Sequence, residues 1–310
     1  MKNSKLLIWL QELRVPFFTA SIIPVLVGTS LAYSTTNVFC LALFILAVLG
    51  MVALHAGANV ANDYFDHTSG NDWLNKNVTP FSGGSQLIQQ GLLSPKSVLI
   101  AAWIALSIGA FIGVIILVIT KSVFIFVLGL AGLLGGYFYT ALPLRLGYKG
   151  IGELVISLLF GVLPVYGSYY LQTGTIDLVP LVPGIIVAML IFLVILVNEF
   201  PDAAADRAVN KKTLVVMFGD KTSVWIYRIV LIATFGIVAA AILLFKNMAI
   251  LPGLLYLLTV PLAAIILRIL KKEVLQKGGG CRSNQLTIIL HLSGGIMLSL
   301  GFLLSGLINK

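Results

Sequence analysis

The sequence predicts an all-α, polytopic membrane protein with nine transmembrane helices, and three observations support this fold class. The 310 residues are 59% hydrophobic and only 10% charged, whereas a soluble domain usually carries about a quarter charged residues. The mean hydropathy is +1.05. Runs of at least about 18 almost uncharged residues recur along the whole chain, and each is long enough to cross about 30 Å of hydrocarbon as a helix.

The apolar runs define the predicted spans in chain order. They cover residues 16–34, 39–61, 97–119, 122–141, 151–171, 180–201, 222–245, 248–270 and 286–308. The break between the third and fourth spans is short, at Thr120-Lys121-Ser122, but one helix over both would far exceed the thickness of a bilayer. The first span is as long as the later ones, so we expect it to be retained rather than cleaved as a signal peptide. Pro201 lacks the N–H that would bond to Val197, so it is expected to kink or end the sixth span.

Lysine and arginine are unevenly distributed between the two predicted sides of the membrane. With the N-terminus inside, only Lys121, Lys246 and Lys310 of the 20 basic residues fall on the outer side. This positive-inside bias predicts a cytoplasmic N-terminus and an outer C-terminus, in the cell inner (plasma) membrane. The net charge of +9 is then explained by topology and by contact with an anionic leaflet, and we expect no nucleic-acid partner.

Acidic and amide side chains repeat at the inner ends of the second and sixth predicted spans. The two segments read NDYFDHTSGND (62–72) and NEFPDAAADR (198–207). Each contains Asn-x-x-x-Asp, a spacing of four that places both side chains on one helical face. The members are Asn62, Asp66, Asn198, Asp202 and Asp206, with Asn59, Asp63 and Asp72 beside the first copy. The repeat predicts one membrane domain of two related bundles, about 1–145 and 146–310, facing each other across a central cavity.

Two facing clusters of carboxylates would repel each other unless a cation lies between them. Oxygen-only ligands favour a hard cation, Mg²⁺ before Ca²⁺, and Mg²⁺ commonly joins a few carboxylates to the phosphates of a substrate. Basic residues that could take the remaining phosphate charge are Arg14, Arg145, Lys149, Arg207, Lys211 and Lys212. The pattern therefore predicts a site for Mg²⁺ and a phosphorylated substrate.

The alternative interpretation is that these acids are solvated helix caps. It suits one cluster alone better than two matching clusters on the same side of a membrane. The loop TPFSGGSQ (79–86) leaves similar alternatives open. Its backbone N–H groups could meet an anionic or polar ligand, or the loop could be a plain turn.

The chain resembles the UbiA-type membrane prenyltransferases, and among them those that act on 1,4-dihydroxy-2-naphthoate in menaquinone synthesis. Residues 62–72, 79–85, 139–153 and 198–219 carry the resemblance, with residues 13–32 in support. It implies nine helices around a central cavity and a Mg²⁺-dependent transfer of a polyprenyl group from an allylic diphosphate to an aromatic acceptor. In the naphthoate enzymes it also implies loss of the ring carboxylate as CO₂.

The resemblance also implies roles for individual residues. The positions that match Mg²⁺-diphosphate ligands are Asn62, Asp66, Asp202 and Asp206. Those that match diphosphate-binding basic residues are Arg14, Arg145, Lys149, Arg207 and Lys211. Asp66, Asp202 and Tyr139 are the expected catalytic residues. The family's first motif has an aspartate where this chain has Gly70, so Asp72 is the nearest substitute as a metal ligand. Asn198 joins the metal ligands by its spacing, and Asn59 and Asp63 join the substrate-binding residues as neighbours of the first motif.

Two alternatives to this function remain open from sequence. Within the same family, the acceptor could be 4-hydroxybenzoate or another aromatic or tetrapyrrole compound. In a different class, a cation-coupled transporter also combines structural repeats with acids inside the membrane. Transport usually needs acids near the middle of the bilayer, whereas here they gather at one end, which favours an enzyme.

Overall fold

The computed structural model describes residues 4–277 and 281–308. Its α-helices are α1 Lys5–Glu12, α2 Thr19–Thr36, α3 Leu41–Ser69, α4 Asn71–Leu74, α5 Pro95–Thr120, α6 Val123–Tyr137, α7 Gly152–Ser157, α8 Leu163–Thr173, α9 Leu181–Ala208, α10 Leu214–Leu244, α11 Lys246–Leu257, α12 Val260–Lys277 and α13 Cys281–Ile308. A π-helical turn, Leu158–Val162, joins α7 to α8. Lys310, and with it the predicted outer C-terminus, lies outside the described residues.

These helices confirm an all-α, polytopic membrane protein. Seven helical segments in the described parts of the chain are long and apolar enough to cross a bilayer, and α11 with α12 forms an eighth that is bent by 46°. The remaining predicted span corresponds to α6, which is apolar but only 15 residues long. The exact number of nine spans therefore stays a prediction.

Several helices extend beyond the apolar runs that predicted them. Helix α3 continues to Ser69 and α9 to Ala208, because polar residues end a hydrophobic run without ending a helix. Helix α10 begins at Leu214 and contains a kink at Gly219, where φ is 76°. The additional turns of α3 and α9 are the ones that carry the two acidic segments.

Helix α9 lies at the centre of the bundle. In its most apolar window 61% of the residues are buried, against 22% for α3 and α5. It packs against α2, α10 and α13, and its buried Leu190, Leu193 and Leu196 belong to the main core. Gly161 lets the π-helical turn approach α9 closely, because a Cβ at this position would overlap the backbone of Ala188. Such small-residue contacts are typical of packed membrane helices.

Candidate active site

Gly70 determines where the first acidic segment turns. It ends α3 in a left-handed conformation with φ of 83°, which glycine adopts without strain. The chain then enters the short helix α4, whose Asn71 and Asp72 are both buried. Asn62 Nδ2 lies 3.3 Å from Asp66 Oδ2 on the last turns of α3. The turn thus brings Asp72 to the same cavity as Asn62 and Asp66.

The second acidic segment faces the first through amide side chains. Asn71 Nδ2 donates to Asp206 Oδ1 at 2.8 Å, and Asn75 Nδ2 donates to Asp202 Oδ1 at 2.7 Å. Asn198 lines the cavity one turn before Asp202. These two bonds satisfy carboxylate oxygens without adding positive charge, and they connect residues that are far apart in the sequence.

Lys211 joins the two acidic segments directly. Its Nζ lies 3.2 Å from Asp66 Oδ2 and 3.5 Å from Asp206 Oδ1. Burial alone would lower the pKa of Lys211, but the Asp66 and Asp206 carboxylates outweigh it and raise this pKa well above its usual value. The ammonium group therefore stays charged between the two carboxylates. On the other side of Asp66, the Tyr148 hydroxyl donates to Oδ1 at 3.0 Å.

The loop of residues 79–86 lies across the acidic cavity. Gly83 N donates to Asp202 Oδ2 at 3.1 Å, so one backbone N–H already meets an acid rather than a free anion. Gly84 comes so close to Asp72 that an added Cβ would stand 3.0 Å from Oδ2. Burial, followed by the Asp66 and Asp63 carboxylates, raises the pKa of Asp72 to about 8.

Ser85 ties the far end of this loop to the helix ends beneath it. Its backbone N–H donates to Asp63 Oδ2 at 2.9 Å, and its hydroxyl donates to Glu12 Oε2 at 2.6 Å. Glu12 is fully buried, and burial with the Asp63 carboxylate raises its pKa to about 7. Asp63 is thus held by the loop and does not line the cavity.

The predicted site residues divide into two groups in the structure. Ten line one cavity of about 210 Å³: Arg14, Asn59, Asn62, Asp66, Asp72, Tyr139, Asn198, Asp202, Asp206 and Lys211. Four do not line it: Asp63, Arg145, Lys149 and Arg207. The Arg145 guanidinium lies over the Tyr148 ring, 4.8 Å from its centroid, and Lys149 and Arg207 are exposed. The roles of all fourteen remain predictions.

Several polar residues of the site were not predicted from sequence. Asn71, Asn75 and Tyr148 hold the acids, and the buried Glu199 lines the cavity. Asn71 and Asn75 repeat the four-residue amide spacing just beyond the first motif, which could have indicated them. No comparable pattern points to Tyr148 or Glu199.

The donors of the cavity fit a Mg²⁺ ion that is shared with a phosphorylated substrate. Among residues 4–277 and 281–308, no three His, Cys, Asp or Glu side chains form a ready-made metal site. Oxygen atoms from both acidic segments nevertheless line one cavity, and a lysine ammonium already lies between two of the carboxylates as a cation. Mg²⁺ usually binds one or two carboxylates and completes its shell with water and phosphate oxygens, so this sparse set suffices.

The fold and the site together define an integral membrane protein with an acidic cavity at one end of a helical bundle. The model of the UbiA prenyltransferase family matches residues 21–302, and the chain belongs to this family. It is therefore a membrane prenyltransferase, which sets aside the transporter alternative.

Relatives in several organisms cover most of the chain. The 1,4-dihydroxy-2-naphthoate octaprenyltransferase of Mycobacterium tuberculosis is 32% identical over 237 residues, which are 76% of this chain and 78% of that protein. The 2-carboxy-1,4-naphthoquinone phytyltransferase of Synechocystis is 25% identical over 304 residues, which are 97% and 94% of the two chains.

Solved structures share the fold at lower identity. The apo structure of a UbiA homolog from Aeropyrum pernix gives a TM-score of 0.71 at 14% identity and covers 94% of this chain and 98% of that one. A UbiA homolog from Archaeoglobus fulgidus, bound to GPP and Mg²⁺, gives 0.66 at 16% identity and covers 97% and 98%. These two structures confirm the helical architecture.

Proposed function

We propose that the protein transfers a polyprenyl group from an allylic diphosphate to 1,4-dihydroxy-2-naphthoate, with Mg²⁺ as cofactor. The observation that carries the proposal is the single cavity lined by both acidic segments and by Lys211. The names of the relatives in Mycobacterium tuberculosis and Synechocystis support a naphthoate-type acceptor. The homolog from Archaeoglobus fulgidus with GPP and Mg²⁺ supports the donor and the metal.

The carboxylates and amides of the two segments would hold the metal, and the basic residues would hold the diphosphate. The proposed ligands are Asn62, Asp66, Asp72, Asn198, Asp202 and Asp206. Bound Mg²⁺ would supply Lewis-acid stabilisation of the departing diphosphate. Lys211 and Arg14 line the same cavity and would take the charge left uncovered. Arg145, Lys149 and Arg207 could reach the diphosphate only by turning their side chains toward the cavity.

The chain's own residues can support ionisation of the substrate. The allylic C–O bond breaks, its electron pair leaves with the diphosphate, and the positive charge stays on the prenyl group. Phe17, Tyr139 and Phe160 line the cavity, and their aromatic faces can stabilise this cation. The ring carbon that bears the carboxylate then bonds to the allylic carbon. Its bond to the carboxylate breaks, CO₂ leaves, and the electron pair of that bond restores the aromatic ring without gain or loss of a proton. Because water would capture the cation, the walls must keep the cavity dry.

An apolar groove continues along the helices that line the acidic cavity. It has a volume of about 290 Å³. On α3 the cavity is lined by His55 and Ala58, and the groove by Met51 and Leu54, one turn nearer the opposite end. Gly129 of α6 lines the groove too. We assign this groove to the polyprenyl tail, since it begins beside the site and is almost entirely apolar.

The proposed function places the acidic cavity on the cytoplasmic side of the inner membrane, with the N-terminus on that side. The chain forms one membrane domain, and the matching acidic segments support two related bundles, about 1–145 and 146–310. The donor diphosphate carries its tail in the lipid bilayer and the aromatic acceptor comes from the aqueous side, so the site needs access to both phases.

The test is a product analysis with a panel of acceptors. Purified protein is incubated with Mg²⁺, an isotopically labelled allylic diphosphate and either 1,4-dihydroxy-2-naphthoate or 4-hydroxybenzoate. We expect mass spectrometry to show a prenylated naphthalene product that has lost the mass of CO₂. A product from 4-hydroxybenzoate alone would contradict the acceptor assignment, and no diphosphate release with any acceptor would contradict the reaction.

A further inference from the structure

Pro201 leaves a gap in the backbone hydrogen bonds of α9. The helix runs without interruption from Leu181 to Ala208, so Pro201 is well inside it. Proline has no N–H to donate to the carbonyl four residues earlier, and its ring pushes that carbonyl aside. The affected carbonyl belongs to Val197, which is 1% exposed. A buried carbonyl without a donor is costly, so another group must satisfy it.

Asn284, near the start of α13, supplies that donor. Its side chain is fully buried, and its Nδ2 lies 3.1 Å from the Val197 carbonyl oxygen. The same Nδ2 lies 2.8 Å from Asn198 Oδ1. Within the described residues its own Oδ1 has no hydrogen-bond partner. The Asn284 amide is therefore held in place through its two donated hydrogen bonds.

The second of these bonds reaches the wall of the active site. Asn198 lines the acidic cavity on the same face of α9 as Asp202 and Asp206. An amide side chain in a cavity can rotate, and exchange its oxygen for its nitrogen at the cavity wall, unless a neighbour fixes it. Because Asn284 Nδ2 donates to Asn198 Oδ1, the oxygen of the Asn198 amide stays on the side that faces Asn284. That oxygen keeps a second lone pair for a cation.

We infer that Asn284 is a positioning residue of the prenyltransferase site. It replaces the backbone donor that Pro201 removes, and it holds the oxygen of Asn198 in the orientation that a metal ligand requires. The inference rests on the proposed function for the role of Asn198. The backbone part, the bond from Asn284 to Val197, stands independently of that role.

A simpler alternative is that Asn284 is only a buried polar residue of the core. Thr287 provides the matched control, because it lies three residues further along α13 and is 1% exposed. Its hydroxyl shares a hydrogen bond of 2.6 Å with the Tyr227 hydroxyl and donates to the Ser283 carbonyl oxygen at 2.7 Å. Neither partner is Asn198, so Thr287→Val removes two buried hydrogen bonds from the same helix without touching the site.

The first experiment measures metal binding rather than turnover. Mn²⁺ replaces Mg²⁺ as an oxygen-seeking ion, and electron paramagnetic resonance follows the free ion in the presence of full-length protein in detergent and inorganic pyrophosphate. We expect Asn284→Leu to weaken Mn²⁺ binding about tenfold, as removal of an outer-shell partner usually does. Thr287→Val should bind Mn²⁺ with the affinity of the wild type. Equal affinity in Asn284→Leu and wild type would overturn the inference.

Two double variants separate the two bonds of Asn284. Pro201→Ala restores an N–H for Val197, so Pro201→Ala/Asn284→Leu should regain most of the melting temperature lost in Asn284→Leu while Mn²⁺ binding stays weak. If the melting temperature does not recover, the backbone part is wrong. This double variant also serves for the binding measurement if Asn284→Leu alone fails to fold.

Asn198→Leu/Asn284→Leu should bind Mn²⁺ no more weakly than Asn198→Leu alone, because Asn284 acts through Asn198. A further tenfold loss of Mn²⁺ affinity in the double variant would show that Asn284 does not act through Asn198. If the wild-type protein itself bound no Mn²⁺ with pyrophosphate, the proposed function and the metal part of the inference would both fall. The melting temperatures would still decide the backbone part.

Discussion

Lys211 Nζ lies 3.2 Å from Asp66 Oδ2, although 145 residues of chain separate the two side chains. The same ammonium group is 3.5 Å from Asp206. One cation thus balances carboxylates from both acidic segments. A metal ion bound in this cavity would share it with Lys211, whose ammonium group already supplies part of the positive charge that the two carboxylates require.

Replacing Lys211 should make the fold depend more strongly on Mg²⁺. Lys211→Met leaves Asp66 and Asp206 without their shared cation, and removing one partner of a buried ion pair costs about 3 kcal/mol or more. Mg²⁺ can relieve the repulsion that remains. We therefore expect a lower melting temperature without Mg²⁺ and a larger rise on adding it than in the wild type. Diphosphate release should fall at least about 100-fold. Equal Mg²⁺-induced rises in both proteins would contradict this role.

Loss of either acidic segment should stop the reaction. Asp66→Ala and Asp202→Ala each remove a proposed metal ligand, and we expect Mg²⁺-dependent diphosphate release to fall at least about 100-fold in each. Asp177→Ala is the control, since Asp177 is exposed in the segment between α8 and α9 and lies outside the cavity. The enzyme assignment of these acids would fail if both variants released diphosphate at the wild-type rate.

Glu12 should make the stability depend on pH. Burial and the neighbouring Asp63 carboxylate raise its pKa from 4.5 to about 7. Between these two values the folded protein keeps a proton that the unfolded chain has lost, so the free energy of unfolding falls as the pH rises through this window.

Glu12→Gln keeps a neutral side chain beside Ser85 and removes this contribution. Melting temperatures measured at intervals from about pH 4.5 to pH 8 should therefore fall less steeply in the variant than in the wild type. Asp72, whose raised pKa has other causes, contributes equally to both curves. Parallel curves would show that Glu12 has no raised pKa.

Filling the apolar groove should shorten the prenyl chains that the enzyme accepts. Gly129 lines the groove, and an added Cβ would meet no atom within 4 Å. Gly129→Leu should therefore fold, yet raise the KM for a long polyprenyl diphosphate about tenfold or more while leaving geranyl diphosphate little affected. Gly236→Leu is the matched control on α10, with equally open space and no place in the groove. An equal change for both chain lengths would exclude this groove as the tail site.

The two native cysteines can test the proposed orientation. Cys40 immediately precedes α3, whereas the acidic end of α3 lies 29 residues later, about 43 Å away along the helix. The exposed Cys281 begins α13, at the end where Asn284 meets Asn198. In intact cells an impermeant maleimide should label Cys40 and spare Cys281. Labelling of Cys281 alone would reverse the orientation, and Cys40→Ser and Cys281→Ser variants assign each signal.

Local spacing predicted much of the site. The four-residue repeat correctly places Asn62 with Asp66, and Asn198 with Asp202 and Asp206, on faces that line the cavity. The apolar runs likewise indicated where the long helices lie. Both inferences depend only on the regular geometry of a single helix, for which the local sequence pattern is sufficient evidence.

Contacts between distant segments could not be predicted in this way. The bonds from Asn71 to Asp206 and from Asn75 to Asp202 depend on how α4 docks against α9. Arg207 was expected near the diphosphate because it follows Asp206 directly. Adjacent residues on a helix point about 100° apart, and Arg207 is exposed while Asp206 is buried.

Gly70 places two carboxylates of the first acidic segment on different helices. Asp66 lies on α3 and Asp72 lies on α4. The turn at φ of 83° separates Asp72 from the rigid α3, and an added Cβ at Gly70 would meet nothing within 4 Å. Asp72 is carried instead by the four-residue α4, and its Oδ2 accepts a hydrogen bond of 3.2 Å from Gln89 Nε2. One carboxylate of the site therefore takes its position from the docking of α4 on α9, through Asn71 and Asn75, and not from α3. The first acidic segment thus reaches the cavity from two directions, although its residues are consecutive in the sequence.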